Sequence, residues 1–144
     1  MGLIDRKPRG FLATPMRGEF TTVREALAAT LKDAGVEMLL VEELPSSRGP
    51  ADLSRELLRK SDFVIADVTT ANPNVIYEVG LAHGLGLPVL LLTQDLDSSP
   101  ATLLQEYLFL VYNPSDLGPL RQRVLHWVGR EPWLGRQSPR GTSR

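Results

Sequence analysis

Two uninterrupted apolar runs set the terms on which this chain can fold. Phe63-Val64-Ile65-Ala66 and Val89-Leu90-Leu91-Leu92 place no polar side chain on either side of a pleat. Strand side chains alternate between faces, so runs of this kind belong to strands covered by protein on both sides. Residues 73–86, between them, read as a helix. Strand, helix, strand is the unit that joins parallel neighbours, because a parallel pair needs a long crossover.

The rest of the chain repeats that alternation. Residues 10–14 read as a first strand, ended by Pro15. Thr22-Val23-Arg24-Glu25 has the form of a capping box and opens a helix to about Ala34, with Ala26, Leu27, Thr30 and Leu31 on one face and Gly35 as its stop. Residues 36–41 give a second strand and 42–50 a loop containing Pro, Ser and Gly. A short helix over 51–60 spaces Leu53, Leu57 and Leu58 along one side. After the buried strands at 62–67 and 88–93 come a helical turn at 101–105, a fifth strand at 108–112 and a helix over 117–128. Five strands interleaved with helices predict a flavodoxin-like, three-layer α/β/α domain with a parallel sheet in the order 2-1-3-4-5. Its expected bounds are 10–129, between a flexible lead-in (1–9) and a flexible basic tail (130–144).

Composition narrows the chemistry. A length of 144 residues, 42% hydrophobic and 23% charged, suits one globular domain. The absence of cysteine excludes disulfides, thiolate nucleophiles and Cys-based metal sites. With only two histidines, His83 and His126, a His-rich metal site is not expected, and the reading given below implies no metal or other cofactor. No apolar h-region opens the chain, and no run reaches the ~20 residues of a membrane span, so a cytoplasmic protein without a membrane partner is expected. Gly2 does not make a myristoylation signal, since Arg6 stands where Ser or Thr is required. A net charge of −1 offers no global field for nucleic acid, and the Arg-containing tail reads as solvated.

In a sheet of this order, ligands bind beyond the carboxyl ends of strands 1 and 3. The residues there are Thr14 onward and the segment from Asp67. Asn72 before Pro73 suits a helix N-cap followed by proline in the first turn. Asn74 and Glu78, four apart, share one helix face, beside an apolar strip of Val75, Val79 and Ala82. Gly80 and Gly84 are expected to allow close packing of helix on sheet. A carboxylate held ionised in a semi-apolar pocket can attack an anomeric carbon or shield an oxocarbenium ion. His83, about 140° around the helix from Glu78, is not its partner.

The stretch ADVTTANPNVIYEVGLAHGLGLPVLLLT, together with FLATPMRGEF, resembles the nucleoside 2-deoxyribosyltransferase-like superfamily over residues 10–95. That superfamily includes 2'-deoxynucleoside 5'-phosphate N-hydrolases and TIR-like nucleotide-binding domains. The resemblance implies an N-glycosidase or N-glycosyltransferase acting on a nucleoside, nucleotide or NAD-like ligand. Glu78 would be the nucleophile at C1', and Asp67 the acid or sugar-positioning group. Asn74 and Tyr77 would flank the site, and Thr14, Pro15, Met16, Arg17 and Gly18 would meet the sugar or its 5' group. It also implies a homodimer or larger oligomer. The C-terminal element with which the transferases complete a neighbour's site has no match in 112–144, which favours cleavage over transfer.

Charge distribution restricts how a phosphate could be held. Residues 61–120 contain no Lys or Arg and seven acids. A phosphate would therefore fall to Arg17 with the Gly18 backbone and the helix start at Thr21-Thr22, or to Arg48. Two other readings stand beside the enzyme: a non-catalytic nucleotide-binding or TIR-like signalling and oligomerisation module, and a flavodoxin-like electron carrier.

Overall fold

The computed structural model describes residues 6–40 and 49–130. Residues 1–5 and 131–144, nearly all of the expected tail, lie outside the described part, as do 41–48 with Arg48. Five strands, β1 (Arg9–Ala13), β2 (Glu37–Leu39), β3 (Phe63–Asp67), β4 (Val89–Thr93) and β5 (Phe109–Val111), form one parallel sheet in the order β2-β1-β3-β4-β5. The helices are α1 (Thr21–Asp33), α2 (Pro50–Arg59), α3 (Pro73–Gly84), α4 (Ala101–Glu106) and α5 (Gly118–Arg130). This is the three-layer α/β/α arrangement that the apolar runs demand.

Every residue of β3 and β4 is buried. Alternate residues feed two separate cores. Phe63, Ile65, Leu90 and Leu92 pack with Val23, Leu27 and Leu31 of α1 and with Leu120, Val124 and Val128 of α5. Val64, Ala66, Val89 and Leu91 pack with Leu58 of α2 and with Val75, Val79 and Ala82 of α3. Burial of apolar area on both faces is the main favourable term.

Several local expectations differ from the structure. Thr22 does not cap α1. A 3-10 turn, Gly18–Phe20, runs directly into the helix, so Phe20 is the N-cap and Thr22 is already inside, with no side-chain cap bond. Residues 6–9 are not loose. The buried Asp62 carboxylate receives Arg6 Nη1 and Nη2 at 3.0 and 2.9 Å and the Arg9 backbone N–H at 2.8 Å. Pro8 O accepts from Glu37 N, which continues the sheet ladder backward. Finally, α3 ends two residues before the expected stop, with Gly86 at φ +73° beyond it.

The α3 glycines do not serve close packing. A methyl group at Gly80 or Gly84 would meet no atom within 4 Å, whereas one at Gly10 would lie 2.5 Å from the Phe63 ring. That ring is fully buried and stands edge-on to Trp127 at 5.7 Å. The two substitutions are therefore expected to act in opposite directions in thermal melts. Gly80→Ala should stabilise by up to about 1 kcal/mol through helix propensity. Gly10→Ala should destabilise by roughly 1–3 kcal/mol through overpacking.

Candidate active site

At the carboxyl ends of β1 and β3 the chain leaves the sheet toward opposite faces. A cavity of about 170 Å³ opens there, floored by Phe11, Leu12 and Ala13 of β1. Thr14 and Met16 line it from the first loop, Arg24 from α1, Ala51 and Ser54 from α2, and Asn74, Tyr77 and Glu78 from α3. The lining is mostly apolar, and its polar groups converge. Such a cleft is the default ligand site of a doubly wound sheet.

The start of α3 aims its three polar residues. The Asn72 side chain accepts from the N–H groups of Asn74 and Val75 at 3.0 and 3.2 Å, and Pro73 follows in the first turn. With Val75, Val79 and Ala82 turned to the sheet, Asn74 and Glu78 face the cavity and the half-exposed Tyr77 forms its rim. The half-buried Glu78 carboxylate accepts a 2.7 Å hydrogen bond from Ser54 Oγ. Burial raises its pKa, and the Ser54 bond partly opposes that.

The first loop divides. Thr14 and Met16 reach the cavity, Met16 being 56% exposed. Pro15 is buried, and its carbonyl accepts from Arg24 Nη1 at 3.3 Å. Arg17 and Gly18 are exposed and do not line the cavity. The Arg17 guanidinium instead pairs with Glu19 at 3.1 Å. Among the described residues, the cation that lines the cavity is Arg24, whose Nη1 donates to Thr14 Oγ1 at 3.0 Å and Nη2 to Thr21 Oγ1 at 3.3 Å.

Asp67 is not brought into the cavity. It is 0% exposed. Oδ1 accepts from the Thr69 N–H at 3.0 Å and from the Thr69 hydroxyl, and Oδ2 accepts from the Tyr112 hydroxyl. Burial still raises its pKa against those three donors, and desolvation, with the Asp67 carboxyl beside it, pushes the Tyr112 phenol well above its ordinary range. Three and four residues beyond Asp67, Thr70 and Ala71 adopt φ of +60° and +51°. Left-handed backbone costs a side-chain-bearing residue roughly 1–2 kcal/mol.

Arg24 and Ser54 are the site residues that spacing alone passed over. Each had a signal. Arg24 stands three residues before Leu27 and Ser54 four before Leu58, so each is a polar side chain on an apolar stripe. Among the described residues no group of three or more His, Cys, Asp or Glu could hold a metal. Nor is any described helix long and apolar enough to cross a membrane.

The architecture is that of the Rossmann-like three-layer proteins. A de novo designed Rossmann 2x3 protein superposes with a TM-score of 0.56 over 96% of this chain and 99% of that one, at 13% identity. Among natural proteins, the chain is similar to a CMP N-glycosidase of Clostridium botulinum, BcmB. The TM-score is 0.64 at 20% identity, over 83% of this chain and 98% of that one. It is also similar to a 2-deoxyribosyltransferase of Bacillus psychrosaccharolyticus, at 0.58 and 14% identity, over 76% and 89% of the two chains. The TIR domains of an activated resistosome follow at 0.54 and 14%, over 83% and 78%. At these identities the likeness is one of fold. No family model and no curated protein sequence matches the chain.

The Glu78 environment gives two measurable outcomes. Ser54→Ala removes the bond that favours the ionised form, so the Glu78 carboxyl should titrate at higher pH by NMR. Because its folded-state pKa is raised, Glu78 contributes fully to stability below the ordinary glutamate range, and the contribution is lost as pH rises through the raised value. Glu78→Gln cannot ionise, so it should melt above the wild type at neutral pH, with the difference closing in acid.

Proposed function

We propose that this chain breaks the base–sugar N-glycosidic bond of a nucleoside, nucleotide or NAD-like substrate, with Glu78 as the nucleophile. The observation that carries this reading is the Glu78 carboxylate itself. It stands in the wall of a mostly apolar cavity at the β1/β3 switch point, oriented by Ser54 at 2.7 Å. The fold likeness to an N-glycosidase and to a deoxyribosyltransferase supports it.

In this mechanism Glu78 attacks C1' of the sugar as the carbon–nitrogen bond breaks. The base leaves with that bond's electron pair and takes up a proton, and a glycosyl ester on Glu78 remains. Water, or a second base, then attacks C1' from the side opposite the carboxylate and releases it. The proton that this nucleophile loses to solvent balances the one the departing base took from solvent. Ser54 favours the ionised form of Glu78 and aims it, since its hydroxyl donates to the carboxylate. In this reading Asn74 and Tyr77 meet the sugar, and Thr14 and Met16 line the other wall of the cavity. Arg24 brings positive charge to the cavity, the role that the charge distribution assigned to Arg17 or Arg48. No cofactor takes part. The same reading carries a cytoplasmic homodimer or larger oligomer.

The test is a chromatographic screen of nucleosides, nucleotides and NAD for released base, with and without a second base as acceptor. Wild-type protein should release base from at least one class, and Glu78→Ala should reduce release to background with the fold retained by circular dichroism. Undiminished release by Glu78→Ala would remove the mechanism. Tight nucleotide binding without turnover would instead identify a binding module.

A further inference from the structure

Asn74, Tyr77 and Glu78 of α3 reach the cavity only if that helix starts in one register. Its start is unusual. Two consecutive left-handed residues, Thr70 and Ala71, lead into Asn72, whose side chain caps the helix. An isolated chain would relax such a turn. Here it is fastened from the sheet side at several points.

Val68 N donates to Leu92 O at 2.9 Å and Ala71 N to Val68 O at 2.9 Å. Thr69 gives both its N–H and its hydroxyl to Asp67 Oδ1, and its hydroxyl oxygen accepts from Gln94 N at 3.0 Å. The other Asp67 oxygen is taken by the Tyr112 hydroxyl, which in turn accepts from Gln94 Nε2 at 2.9 Å. Asp67, Gln94 and Tyr112 stand at the carboxyl ends of β3, β4 and β5. One buried carboxylate thus ties three strand ends to the turn that launches α3. Both its oxygens are engaged by protein donors, and it does not line the cavity.

We propose that Asp67 and Tyr112 are positioning residues for the Glu78 site, acting through the 68–72 turn rather than on the substrate. The inference rests on Glu78 being the nucleophile of the proposed reaction. A helix turns about 100° per residue, so a small rotation at its start carries Glu78 away from the cavity wall. Misplacement of a reacting group by about 1 Å can cost on the order of 100-fold in rate.

The test compares Tyr112→Phe, Asp67→Asn and Asp67→Ala with wild type in two measurements. Tyr112→Phe keeps the ring that fills the core and removes only the hydroxyl, so it should fold. The first measurement is amide hydrogen exchange without substrate. Exchange at Ile76, Tyr77 and Glu78 should quicken in all three variants, while the cores of α1 and α5 keep wild-type protection. The second is base release. Tyr112→Phe should lower kcat by roughly 10- to 100-fold with KM changed little, as expected for a misaligned nucleophile. Asp67→Asn, which keeps an acceptor for Thr69, should retain more rate than Asp67→Ala.

Unchanged exchange in the first turns of α3 overturns the proposal. So does an Asp67→Asn variant as inactive as Asp67→Ala that has lost the alkaline limb of its kcat/KM profile, since that would make Asp67 an acid acting on substrate. A wild-type protein that releases no base defeats the nucleophile reading, and the exchange measurement still decides whether Asp67 and Tyr112 set the register of α3.

Discussion

Covering both faces of the sheet is the constraint on which everything else here depends. β3 and β4 bury every residue, so helices must stand on each side of them. The order β2-β1-β3-β4-β5 meets that need by sending the crossover after β1 to one face and those after β2 and β3 to the other. Where the two directions part, at the carboxyl ends of β1 and β3, no helix among the described residues closes the gap. The cavity is a consequence of the winding.

Polar groups at that end of the sheet are costly unless they are satisfied, and the two carboxylates there are satisfied differently. Asp67 is sealed, with three donors from Thr69 and Tyr112. Glu78 has one donor among the described residues, Ser54, and an open cavity in front of it. Burial raises both pKa values, but only Glu78 can meet a ligand. Enzymes separate the roles of paired carboxylates by environment in the same manner. Here the sealed group stiffens the turn that presents the open one.

Much of the fold was legible in the chain. The runs at 63–66 and 89–92 announce two-sided burial, and the Asn72-Pro73 pair announces the start of α3. The misreadings share a cause. Thr22 has the side chain of a capping residue, but a 3-10 turn starts α1 earlier. Gly80 and Gly84 look like packing glycines, but the face they occupy is decided by which side of α3 meets the sheet, and they lie on the open side. Residues 6–9 look like a loose end because their anchor, Asp62, is far along the chain.

The sequence by itself determined the layers and the shared face of Asn74 and Glu78, because both follow from short-range periodicity and from the need to bury apolar runs. The strand order followed from the fold class that five alternating strands imply. Only the tertiary structure decided which charges reach the cavity. Arg24 replaces Arg17 because it lies on the buried stripe of α1, while Arg17 turns outward to Glu19. Ser54 meets Glu78 because α2 packs beside α3. Asp67 leaves the site for the interior because Tyr112, 45 residues away, comes back to it at the end of β5. Contacts of that range arise from the closing of the sheet, and no local spacing encodes them.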